Sequence, residues 1–240
     1  LAIFVAGYLA ASHYATQQKA EQQQRIQQAV MQRLQLITDG VREKVTLYQY
    51  GLRGTRGAVM TISPERFSYQ DMQTYTLSRD YKLEFPGARG FGLIRHVTPE
   101  QKESFLQRMA KERPDYSFNI KQLQPHQHSL FVIQYIEPEV RNSEAVGLDI
   151  GSEPMRRKAA LDAALNNEIR LTAPITLVQA DQKTQQGFLI LMPVYLSATP
   201  ATEPEQRLRQ LYGWSYAPIL IDEVLSTVSG LRDDVMLQIT

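Results

Sequence analysis

From Thr16 to about Arg53 the chain contains no proline, and Gly40 is the first glycine after Gly7. Nothing in that stretch breaks a helix. Apolar residues recur at Ile26, Val30, Leu34, Ile37, Val41, Val45, Tyr48 and Leu52. Steps of four and three keep one stripe in register over about seven helical turns. A single amphipathic helix lying on its own domain would show that pattern. So would a stalk helix that pairs with a copy of itself, because a repeat near 3.5 residues is what a coiled-coil seam requires. The segment Gln17–Gln35 is dominated by Gln, with Glu, Lys and Arg interspersed. A face that polar buries little against a globular body, which favours the stalk and predicts a parallel homodimer.

The fifteen residues before the stalk, Leu1 to Ala15, are nearly all apolar or small. A membrane-spanning helix needs about 20 such residues. Because the run opens on Leu, it reads as the end of a longer transmembrane helix, residues 1–15, continued by a stalk at 16–58. A signal-peptide tail with a cleavage-type site near Ala10 and Ser12 is the rival reading. The unbroken helical pattern that follows speaks against it.

Composition narrows the function. The chain has 26 Lys and Arg against 25 Asp and Glu, a net charge of +1. That gives no basic surface for nucleic acid. It has no cysteine, so disulfides, thiolate zinc sites and Cys nucleophiles are excluded. No Gly-x-Ser-x-Gly occurs, and no pair of carboxylates recommends itself for acid–base work. No enzyme, metal or cofactor is expected from this segment.

Further along, Gly51, Gly54 and Gly57 give the helix a small, smooth face for close packing. Their reading as a phosphate loop fails for want of the Lys-Ser/Thr pair and a preceding strand. Ser63-Pro64-Glu65 predicts a helix start running through Phe67, Met72 and Leu77. Strands are predicted at 90–97, 130–136, 174–179 and 187–192, the last two as a hairpin. Helices are predicted from Thr98 to about Lys111 and from Ser152 to Asn166. The Ala-, Thr- and Pro-rich residues 197–204 look like an inter-domain linker. Gly213-Trp214 opens a further β-rich run, followed by a helix at 221–225 and a strand at 235–239.

Three stretches together resemble a CHASE domain, the extracytoplasmic sensory module of bacterial and plant receptor kinases and cyclases. They are Leu52-Arg-Gly-Thr-Arg-Gly57 with its Ser-Pro-Glu-Arg-Phe continuation, Phe91-Gly-Leu-Ile-Arg-His-Val97 with Glu100, Glu103 and Phe105, and Val132 to Tyr195. The last holds Glu137-Pro138, Gly147-Leu-Asp-Ile-Gly-Ser-Glu-Pro154, Leu171-Thr-Ala-Pro and Gly187-Phe-Leu-Ile-Leu-Met-Pro-Val-Tyr195. The resemblance implies an α+β fold: a long N-terminal stalk helix followed by tandem PAS-like units, the second truncated. It puts a membrane-distal ligand-binding unit at 59–200 and the start of a membrane-proximal unit at 201–240. It also implies an inner-membrane receptor with a periplasmic sensory region and a cytoplasmic output, a histidine kinase or a cyclic-di-GMP enzyme.

By the same resemblance Asp149 is the pocket carboxylate that meets an adenine-like ring in the plant members, Leu171 a wall residue, and Leu189 and Leu191 the strand wall. The sequence departs from the plant pattern at 122–134, so the small-molecule ligand need not be a cytokinin. Read from the residues alone, Asp149 between two glycines either caps a turn or accepts hydrogen bonds from a ligand. Phe131, Ile133 and Tyr135 alternate on one strand, and Phe188, Ile190 and Met192 on another. Alternation of that kind favours core, and Phe131 and Ile133 are the candidates for a pocket wall. His126 and His128 are expected as exposed loop residues, too few for a metal site. Arg156-Arg157-Lys158 reads as a solvated helix face that could also meet an anionic ligand or lipid. A structural dimerisation spacer without a ligand is the alternative function.

Overall fold

The computed structural model describes residues 2–114, 116–178 and 184–226. Its contacts divide the chain into two units, the first holding the chain up to Glu43 and the second Lys44–Thr227. Helix α1 (Ala2–Ile62) carries the predicted stripe, with Ile26, Val30 and Leu34, all in the first unit, exposed and Ile37 buried. No helix among the described residues is long and apolar enough to cross a membrane.

The second unit is α+β. After the end of α1 come α2 (Tyr69–Leu77), α3 (Tyr81–Glu84), β1 (Phe91–Val97), α4 (Lys102–Glu112), β2 (Lys121–Gln122) and β3 (Leu130–Glu137). Then follow β4 (Leu148–Asp149), α5 (Pro154–Asn166), β5 (Arg170–Leu171), β6 (Ile175–Val178), β7 (Thr184–Tyr195), α6 (Pro204–Arg209), β8 (Leu211–Leu220) and α7 (Ile221–Ser226). The strands form one sheet in the order β2-β4-β3-β1-β8-β7-β5, with β6 also paired to β7. The long neighbours β3-β1-β8-β7 are all antiparallel. The predicted hairpin is the antiparallel pair β6–β7.

The segment expected to enter a second unit, Leu211–Leu220, lies in this sheet between β1 and β7, and every one of its residues is buried. Residues 197–204, expected as a linker, join β7 to α6 within the same unit. The strand expected at 235–239 lies outside the described residues.

One sheet face packs against α5. That helix is capped by the Glu153 carboxylate, which accepts from the N–H groups of Met155 and Arg156, both at 2.9 Å. Pro154 occupies its first turn, and Asn167 ends it in the left-handed conformation at φ 54°. Ala159, Ala160, Ala163 and Ala164 give it a smooth face that settles on Phe131, Ile133, Leu189, Leu191, Trp214 and Tyr216. Trp214 Nε1 donates to the Ala160 carbonyl at 2.9 Å, which satisfies its one donor as burial of an indole requires.

The opposite face packs against α1, α2 and α4 through Tyr48, Leu52, Val59, Met72, Phe105 and Met109. The glycine face of α1 does what its spacing implies at two of three positions. A Cβ on Gly51 would stand 2.3 Å from the Phe91 ring, and one on Gly54 2.3 Å from the Tyr75 hydroxyl; Gly57 meets nothing.

Two local expectations are corrected. Ser63 starts no helix: at φ 90° it closes α1 instead. The next helix is capped by Ser68, in a reciprocal box with Asp71 that satisfies two helix-end donors. The alternation of Phe131, Ile133 and Tyr135 is also broken. The β1–β3 register shifts between Leu93 (opposite Tyr135) and Ile94 (opposite Ile133), leaving Gln134 as a bulged residue. Phe131 and Ile133 therefore face α5, while Tyr135 packs in the cluster of α2 and α4.

Candidate functional site

Two openings flank the segment Leu148–Ser152, which runs from β4 through a 3-10 turn into α5. Asp149 is the hinge between them and is fully buried. Its Oδ1 accepts from the Phe131 N–H at 2.8 Å and the Gly151 N–H at 2.9 Å. Its Oδ2 is met by Gln122 Nε2 at 3.2 Å and His126 Nε2 at 2.8 Å. Both carboxylate oxygens are thus taken by the protein's own donors, and the turn-capping reading of Asp149 describes its contacts. His126, expected in solvent, is 13% exposed because Asp149 draws its ring inward; His128 stays exposed.

The first opening is a groove of about 500 Å³ between α5 and the loop 124–128. It is open to solvent and lined on the α5 side by Arg157, Lys158, Leu161 and Asp162. Its charges are matched. Lys158 pairs with Asp162 at 2.6 Å. Arg157 donates to the Ser129 carbonyl at 2.8 and 3.0 Å and lies 4.5 Å above the Phe131 ring.

The second opening is an enclosed cleft of about 50 Å³ on the α5 face of the sheet. Ile133, Leu148, Ile150, Leu177, Leu189 and Tyr216 supply its walls, and Arg89, Arg141, Asn142 and Arg156 its polar rim. Here two polar atoms lack a hydrogen bond, while Asn142 donates to the Arg89 and Pro138 carbonyls and Arg89 pairs with Glu223. Arg156 is 7% exposed; its Nε forms an ion pair with Glu153 at 3.7 Å but has no hydrogen-bond partner. Burial pulls the Arg156 guanidinium below its usual range, and Glu153 opposes that shift only in part. The Tyr216 hydroxyl is buried and unpartnered too, and burial pushes its pKa well up. Gly92, opposite Tyr216 in the sheet, gives that ring its place: a Cβ there would come within 2.5 Å of it.

Of the residues singled out from the sequence, Ile133 and Leu189 meet in this cleft. Phe131 and Leu191 are buried in the adjoining core, with Phe131 against Trp214 at 4.6 Å between ring centres. Leu171 is 46% exposed on β5 and borders neither opening. Sequence reasoning missed Tyr216, and it put Arg156 on a solvated face. The signal was present in part, since an Arg-Arg-Lys run points three ways around a helix and cannot all face water. Among the described residues, no group of three His, Asp or Glu side chains gathers as metal ligands would.

The family model of the CHASE domain matches residues 65–240. That span takes in the whole sheet, α5 and both openings. No curated protein matches the chain.

Proposed function

The chain belongs to the CHASE-domain family, extracytoplasmic sensory domains of membrane receptors, and we propose that its Lys44–Thr227 unit is a PAS-like input unit that binds a small molecule in the enclosed cleft. The observation that carries this is the cleft itself. Walls from β3, β6, β7 and β8 and the β4–α5 turn include two buried polar groups without hydrogen bonds. Buried polar groups are normally satisfied, so a pair left open beside a cavity is what a binding site without its ligand presents.

Binding is read out through α1. Tyr48, Leu52 and Val59 of that helix are packed against the sheet. The Ser215 hydroxyl on β8 donates to the Leu52 carbonyl at 3.0 Å, which ties the strand bearing Tyr216 to the helix. The exposed stripe Ile26, Val30 and Leu34 supports pairing of α1 with a second copy, in the manner of a coiled-coil seam. A ligand that favours one of two dimer packings by about 1–3 kcal/mol would suffice to switch them. The receptor so described sits in the inner membrane, senses on the periplasmic side, and drives a cytoplasmic histidine kinase or cyclic-di-GMP enzyme.

The test is a thermal-shift screen of the chain against a broad set of small metabolites. At least one compound should raise the melting temperature, and Leu189→Phe, which fills the cleft, should remove that rise. Ile133→Phe serves the same purpose should the first variant fold poorly. If no compound shifts the melting point, the domain is a dimerisation spacer and the proposal fails.

A further inference from the structure

Resting on the reading of the cleft as the binding site, its dimensions and chemistry narrow what it can take. Arg156 and Tyr216 both line the enclosed cleft, and the Nε–H of the one and the hydroxyl of the other have no acceptor. The remaining acceptors nearby are already used. Glu153 accepts from the backbone N–H groups of Met155 and Arg156 and stands 3.7 Å from Arg156 Nε, beyond hydrogen-bond distance. The Thr176 carbonyl takes Arg156 Nη2 at a long 3.4 Å. Glu223 pairs with Arg89 at 3.4 Å, and the other Arg89 terminal nitrogen donates to the Arg141 carbonyl at 3.3 Å.

A guanidinium keeps its charge at every relevant pH, so its burial calls for a negative partner; Glu153 answers only by an ion pair at 3.7 Å, which leaves the Nε–H without a hydrogen bond. A carboxylate supplies two oxygens in one plane, one for the guanidinium and one for the phenol. The walls beyond those donors are aliphatic: Ile133, Leu177 and Leu189. Size sets the other limit. At about 10–15 Å³ of accessible volume per water, a cleft of about 50 Å³ holds some four waters. That is room for a carboxylate with a short aliphatic tail and too little for an adenine-type ring.

We infer that the ligand of this cleft is a short-chain monocarboxylate, its carboxylate held by Arg156 and Tyr216 and its tail of about two to four carbons lying against Ile133, Leu177 and Leu189. The rim arginines Arg89 and Arg141 draw the anion in, with Glu223 and Glu153 the opposing charges. The Arg-Arg-Lys run then divides its work, with Arg156 turned to the ligand and Arg157 to the protein.

The experiment titrates the chain with propionate, butyrate and isovalerate, and in parallel with propionamide and butyramide, by calorimetry and thermal shift. The carboxylates should bind saturably and the amides at least tenfold more weakly. Arg156→Met should lose carboxylate binding, Arg156→Lys should retain a weakened form of it, and Tyr216→Phe should weaken it several-fold. Amides binding as well as acids, or Arg156→Met binding butyrate unchanged, would overturn the inference. So would a crystal grown with butyrate in which the cleft holds water only. If the carboxylates fail but another metabolite stabilises the chain in a way Leu189→Phe abolishes, the anion inference falls and the sensory reading stands. If nothing binds, both fall.

Discussion

Arg156 and Arg157 are adjacent on one helix and have opposite environments. Arg157 faces the open groove, with carbonyl acceptors at Ser129 and Gly151 and an aromatic ring beneath it. Arg156 faces the enclosed cleft, is more deeply buried, and has an unpartnered Nε. One helix step of about 100° separates a guanidinium hydrogen-bonded to the fold from one whose Nε–H has only an ion pair at 3.7 Å. The difference separates a structural from a ligand-seeking cation more surely than cavity size does, since the larger opening is the one whose charges are already matched.

The largest effect should come from the groove side. Asp149→Ala removes the acceptor of four donors and leaves the Phe131 and Gly151 N–H groups buried and unmade. A loss of about 3–5 kcal/mol is expected in urea unfolding. A loss below about 1 kcal/mol would mean that Asp149 is held in place by its surroundings, free for a ligand, and would reverse the assignment of the two openings.

Arg157→Met should cost about 1.5–3 kcal/mol, from charge-assisted bonds to the Ser129 carbonyl and the contact with Phe131. The two losses should not add. Arg157 and Asp149 both anchor the start of β3, and a double-mutant cycle would read their coupling.

A pH effect is expected next. His96 stands edge-on to Phe131 and Trp214 at 5.7 and 6.3 Å. Burial depresses its pKa, with Arg95 and Arg157 adding to the depression and a hydrogen bond with the Leu211 backbone opposing it. Because the folded value lies below the unfolded one, the unfolded chain takes up the proton first as pH falls. Stability should therefore drop below about pH 6.5. The melting temperature of His96→Phe should fall less than that of the wild type between pH 7.5 and 5.5. Parallel curves would remove His96 from the account.

Leu171→Ala should do least among these truncations, under about 0.5 kcal/mol with no effect on ligand binding, because the side chain is largely exposed and away from both openings.

Local signals were legible in the sequence wherever the cause was local. The long helix, the β6–β7 hairpin and the helix opened by Pro154 follow from periodicity and capping that lie within a few residues. What escaped depends on partners far along the chain. The bulge at Gln134 is set by the register against β1, and it moves Tyr135 to the other face. The inward turn of His126 is set by Asp149, 23 residues away. Leu211–Leu220 reads as a fresh start because it follows a turn rich in Ala, Thr and Pro, yet its partners Phe188–Val194 and Gly92–Arg95 come earlier in the chain. Of the cleft's lining, Ile133 follows from strand alternation and Leu189 from the family resemblance, whereas Tyr216 enters only through the sheet order.

Under the proposed function Arg156 serves a ligand and is not needed by the fold. The most direct test of this is the unliganded stability of Arg156→Met, measured by chemical unfolding beside the wild type. Replacing a buried cation whose carboxylate partner stands at 3.7 Å by an apolar side chain of similar length should leave stability unchanged, or raise it by about 1 kcal/mol. A loss of about 2 kcal/mol or more would show that the guanidinium is part of the structure and would contradict the account.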